Sequence, residues 1–92
     1  MKPDELAEIL KALSDPTRLK IATLLADSKS MLCVNAITKR LGVTQSAVSQ
    51  HLRILRQSGL VESERRGYFI HYSINKKKIE LIASMLSNMV KN

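Results

Sequence analysis

The segment Gly42-Val43-Thr44 constrains this chain more than any other. Before it, Val34 to Leu41 has helical periodicity, and Gly42 suits the left-handed position that ends a helix. After it, Thr44 is an N-cap residue for a second helical stretch, Gln45 to Gln57, which stops at Gly59. Two short helices joined by so tight a turn outline a helix-turn-helix. Ile37, Leu41, Val43, Val48 and Leu52 are spaced to meet between them.

The rest of the chain fits around this pair. A first helix is expected from about Asp4 to Leu13, with Leu6, Ile9, Leu10 and Leu13 on one stripe. Asp15-Pro16 then restarts the helix, an acceptor at the N-cap followed by proline in the first turn. This second helix carries Leu19, Ala22, Leu25 and Ala26, and ends near Asp27 before the polar Ser28-Lys29-Ser30. After Gly59 the periodicity changes. Residues 60–66 and 68–74 flank Gly67, the second run being rich in aromatic and β-branched residues, which predicts a hairpin with a basic tip. A last helix, about Lys76 to Val90, has Ile79, Ile82, Leu86 and Met89 on one seam and Leu81 and Met85 on a second apolar face. Such a helix needs two things to bury against. The reading is a mainly α, winged helix-turn-helix of five helices and a two-stranded wing. Residues 1–92 form a single domain, and its first and last helices supply a dimer interface. A chain of 92 residues buries only about 60% of its unfolded surface alone, so a partner chain would add stability.

Charge points to the partner. The net charge is +7, yet residues 1–27 are nearly balanced. From Ser28 to Val61 there is no Asp or Glu, while Lys29, Lys39, Arg40, Arg53 and Arg56 are present. A block of one sign projects a field toward a polyanion, although a solvated basic face is the commoner meaning of charge clusters. The fourth helix sharpens the choice. With Val48, Leu52 and Leu55 turned to the core, it exposes Gln45, Ser46, Ser49, Gln50 and Arg53. Gln pairs with adenine, Arg with guanine, and Ser is a short donor or acceptor. These five residues are therefore the candidate base contacts to double-stranded DNA. Lys39, Arg40, Thr44 and the wing residues Arg65 and Arg66 are the candidate backbone contacts. The run Lys76-Lys77-Lys78 is read as solvated. His51 is read as a packing or phosphate-proximal residue, and His71 as a surface residue of the wing.

Other chemistry finds little support. No nucleophile–base pair or phosphate-binding loop can be assembled, so the chain is not expected to be an enzyme. The single Cys33 excludes an intrachain disulfide. No apolar run approaches the roughly 18–20 residues of a membrane span. The first residues lack the apolar core of a signal peptide. A cytoplasmic protein without membrane contact is expected. Cys33, near a helix start, is either a reactive thiol or a small buried hydrophobe.

Two segments resemble the ArsR family of regulators. Ala12-Leu13-Ser14-Asp15-Pro16-Thr17-Arg18-Leu19 is similar to that family's opening signature. Gln45 to Arg53, followed by Ser58-Gly59-Leu60-Val61, is similar to its recognition helix and the start of its wing. The resemblance implies a homodimer joined by the first and last helices, bound to an imperfect palindrome, and repression relieved by an effector of unknown identity. Metal sensors of that family carry Cys-Val-Cys on the third helix, whereas this chain has Cys33-Val34-Asn35. Others place Asp and His ligands on the last helix, which here offers only Glu80. Soft-metal and zinc sites want three or four such ligands, so neither metal nor cofactor is expected. Two alternatives stay open: a winged-helix module that binds protein, and a thiol-based redox sensor acting through Cys33.

Overall fold

The computed structural model describes residues 1–91. Five helices and three strands follow one another: α1 (Pro3–Leu13), α2 (Pro16–Asp27), β1 (Leu32–Cys33), α3 (Val34–Leu41), α4 (Gln45–Gln57), β2 (Val61–Arg66), β3 (Phe69–Ile74) and α5 (Lys76–Lys91). The helix starts and stops have local causes. The Asp15 carboxylate accepts the Arg18 N–H at 3.0 Å, with Pro16 beginning α2. That hydrogen bond, aided by the charges of Arg18 and His51 and opposed by partial desolvation, holds the Asp15 carboxyl below the usual aspartate range. Thr44 Oγ1 caps α4 by accepting the Ala47 N–H at 3.2 Å. Gly42 ends α3 at φ +66°, its N–H donating to the Thr38 carbonyl at 2.9 Å. At the end of α4 the Leu60 N–H reaches the Leu55 carbonyl and the Gly59 N–H reaches that of Arg56. This is the paired closure that a left-handed residue permits.

The sheet is larger than expected. Leu32 and Cys33 pair with Tyr72 and His71, so β1 adds to the hairpin and the order is β1-β3-β2. Two residues are too few for an alternating pattern, and the pairing depends on β3 being present to meet them. Gly67 (φ +64°) and Tyr68 form a two-residue hairpin loop of the kind that has glycine first.

One core joins these elements. Ile21, Ile37, Val48, Leu52, Leu55 and Leu60 are fully enclosed, with Leu6, Ile9, Leu25, Leu32, Val61 and Ile82 around them. In α2 the buried stripe is Ile21, Ala22 and Leu25; Leu19 is 50% exposed and Ala26 is exposed. Ala22 and Leu25 are therefore buried as expected, whereas Ile21 is enclosed in place of Leu19 and Ala26.

The last helix leans on the body rather than joining it. Only Ile82 is buried, and Met85 packs against the core from the edge. The molecule is accordingly elongated, 47 × 22 × 20 Å. Asn75 fastens the start of α5. Its Oδ1 accepts the Lys78 N–H, its Nδ2 donates to the Gly59 carbonyl, and its own N–H donates to the Leu60 carbonyl. Asn75→Ala removes a cap and leaves the Gly59 carbonyl without its donor. We expect it to cost about 1–2 kcal/mol in urea unfolding at fixed protein concentration. A change within a few tenths would show that the α5 junction is held elsewhere.

Candidate nucleic-acid interface

The side of α4 that carries Val48, Leu52 and Leu55 faces the core, and this determines what the helix presents outward. Gln45, Ser46, Ser49, Gln50 and Arg53 are all exposed, and four of them (Ser46, Ser49, Gln50 and Arg53) line one shallow depression. No carboxylate occurs on α4. Arg56, one turn beyond Arg53, donates to Ser63 Oγ at 3.3 Å and ties the helix to β2.

Between α4 and the wing lies a cleft of about 310 Å³. Gln45 and Ser49 line one side, Tyr68, Phe69 and Ile70 another, and Cys33 and Asn35 stand at the start of α3. Tyr68 at the tip is 96% exposed. The aromatic residues were not among the expected contacts. Their signal was present, however: a cluster of all three around a glycine turn in an otherwise aliphatic chain.

The two wing arginines are not equivalent. Residues paired across antiparallel strands share a face of the sheet. Arg65 lies two residues from Ser63 and shares its face, and the Ser63 hydroxyl accepts from Arg56 of α4. Arg66 is on the other face, where its Nε donates to Glu64 Oε2 at 2.9 Å and it borders Lys29 and Met31. Arg65 therefore shares the reader side, and Arg66 starts with a carboxylate partner.

Lys39 and Arg40 are exposed in the last turn of α3, where cations also favour the helix dipole. Thr44 Oγ1 is engaged as a cap but keeps its own proton to donate. Cys33 is half-buried at the N-cap of α3, with a free thiol. Among the described residues no three His, Cys, Asp or Glu side chains are grouped to hold a metal ion. No described helix is long and apolar enough to cross a membrane. His71 is half-buried with Nδ1 enclosed and unpartnered, not a surface residue, because β1 lies alongside it. His51 is half-buried and faces Asp15 and Arg18.

The residues expected at a dimer interface divide. Leu6, Ile9 and Ile82 are buried within the protomer, and Leu13 is half-buried against that core. Side chains so enclosed have little surface left for a partner. Their periodicity marked them as apolar without telling which of two apolar surfaces they meet. Leu10, Ile79, Leu86 and Met89 are exposed, together with Leu81 and Val90.

A helix-turn-helix followed by a hairpin, which β1 widens to a three-stranded sheet, defines a winged helix-turn-helix DNA-binding protein. Over residues 15–63 the sequence matches the bacterial regulatory proteins of the arsR family. It is 38% identical over 88 residues to the HTH-type transcriptional regulator MJ1325 of Methanocaldococcus jannaschii, covering 96% of this chain and 98% of that one. It is 32% identical over 82 residues to the transcriptional repressor SdpR of Bacillus subtilis, covering 89% of each. Among solved structures, an ArsR-like transcriptional regulator from Rhodococcus sp. RHA1 superposes with a TM-score of 0.85 at 33% identity, covering 96% of this chain and 81% of that one. The homodimeric winged helix-turn-helix domain of Mb0332 from Mycobacterium bovis does so at 0.76 and 31%, with the same coverage. The chain belongs to the arsR family, a family of DNA-binding transcriptional regulators, not enzymes.

Proposed function

We propose that residues 1–92 act as one domain which dimerises through its first and last helices and represses transcription by occupying an imperfect palindrome, until an effector releases it. The observation that carries this reading is the carboxylate-free, exposed face of α4 beside a basic, aromatic wing. Gln45, Ser46, Ser49, Gln50 and Arg53 read base edges, while Arg65, Lys39, Arg40 and Thr44 hold phosphates. Arg66 serves only where phosphate displaces Glu64. The exposed residues Leu10, Ile79, Leu86 and Met89 form the apolar seam between protomers, a role supported by the homodimeric state of the Mb0332 domain. Repression is supported by the likeness to SdpR. Action on DNA and membership of a family of bacterial regulatory proteins support a cytoplasmic location.

The test is selection of duplexes from a random-sequence pool by the purified protein. In vitro transcription from a promoter overlapping the selected sequence then follows. A two-fold-related consensus and reduced transcript are expected. Retention of random duplexes without enrichment would remove the sequence-specific reading. Enrichment with increased transcript would replace repression by activation.

A further inference from the structure

Three elements meet at one arginine. Arg18, in the first turn of α2, donates through Nε to the carbonyl of Ala12 at 2.7 Å. Its Nη1 lies 3.4 Å from Nδ1 of His51, near the middle of α4. Its backbone N–H is held by Asp15, whose carboxylate stands 4.0 Å from the same imidazole nitrogen. A carbonyl in the last turn of a helix lacks an intrahelical partner, so the guanidinium completes the end of α1 with a charge-assisted hydrogen bond. The guanidinium and the Asp15 carboxylate thus both approach the imidazole from the start of α2. With two donors committed inward, Arg18 is poorly placed to serve as a phosphate contact, although its charge would suggest one.

We infer that Arg18 is a positioning residue which fixes the distance of the α4 midpoint from the end of α1 and so sets the half-site spacing that the dimer accepts. The inference rests on the proposed reading, in which α1 contributes to the dimer seam and α4 enters the DNA. A shift of the midpoint by roughly 1.7 Å in each protomer changes the separation of the two helices by up to about 3.4 Å, the rise of one base pair. Each helix can still read its own half-site after such a shift, but the pair no longer matches one spacing. Holding α4 near its midpoint to the end of a dimer helix therefore couples the two reader helices to one separation. A lysine at position 18 has a charge but no planar fork, and cannot reach the Ala12 carbonyl and the His51 ring together.

The test uses the palindromic duplex selected by the wild-type protein, and two versions with one base pair added or removed at its centre. Wild type is expected to prefer the selected spacing by about tenfold or more. In Arg18→Ala and Arg18→Lys that ratio should fall toward one, while base preference within each half-site and dimerisation by sedimentation stay as in wild type. His51→Ala, which removes one of the two tethers, should fall between. Should Arg18→Ala fail to fold in a thermal melt, Arg18→Lys and His51→Ala decide the matter. Variants that weaken all three duplexes by one common factor overturn the positioning role and leave the reading of the function standing. So does a wild type indifferent to spacing. If selection returns no symmetric duplex, the functional reading fails first and the inference with it.

Discussion

Leu86→Glu is expected to turn the proposed dimer into a folded monomer. Leu86 is 42% exposed on α5 in the protomer, so a carboxylate there is solvated while the chain is alone. In a two-fold interface the substitution appears twice, facing apolar Ile79, Met89 or their counterparts. Desolvating an unpaired carboxylate costs several kcal/mol. The dissociation constant should therefore rise by about a thousandfold or more. Sedimentation equilibrium reads the assembly, and circular dichroism reads the fold. A variant that remains a dimer at wild-type concentrations would show that α5 is not the seam. The neighbouring Ile82 separates packing within the protomer from packing between protomers. It is only 7% exposed, so Ile82→Ala should destabilise the protomer itself, by about 2–5 kcal/mol.

Arg53→Ala and Arg65→Ala should fail in different ways. Arg53 lies in the polar depression on α4, where a bidentate contact to a base edge is worth about 1–3 kcal/mol. Two copies act in a dimer, so discrimination between selected and scrambled duplex should fall by about 2–6 kcal/mol, with little change in salt dependence. Arg65, on the reader side of the wing, is expected to meet phosphate. Arg65→Ala should weaken both duplexes alike and reduce the slope of log K against log salt by about two, one for each wing. Arg66→Ala should change that slope less, since Glu64 already occupies its guanidinium. Titrations at several salt concentrations distinguish these outcomes. Equal loss on both duplexes for Arg53→Ala would exclude α4 as the reader.

Much of the architecture was legible because its boundaries are chemical. Asp15-Pro16, Gly42, Thr44 and Gly59 each act within a few residues, and each ends or starts a helix where its chemistry requires. The exposed face of α4 was legible by subtraction, once Val48, Leu52 and Leu55 were assigned to the core. What remained hidden depends on distant partners. Strand β1 exists through Tyr72 and His71, some forty residues away in the chain. The approach of Arg18 to His51 spans 33 positions, and nothing local in either segment announces it. The difference between Arg65 and Arg66 needs the register of the hairpin, which a one-residue slip would reverse. For α5, amphipathicity showed that two surfaces had to be covered but could not apportion Ile82 to one and Leu86 to the other.

The helix that leans on the body through Ile82 and Met85 makes mass action part of the protein's behaviour. If α5 is fully covered only by a second chain, its melting temperature should climb with protein concentration. Below the dimer dissociation constant the population would be largely protomers, each offering a single reader helix to a two-part site. Dimer abundance in that regime grows with the square of the total. Occupancy of a palindrome would then respond to the number of copies in the cell as a threshold, independently of any effector.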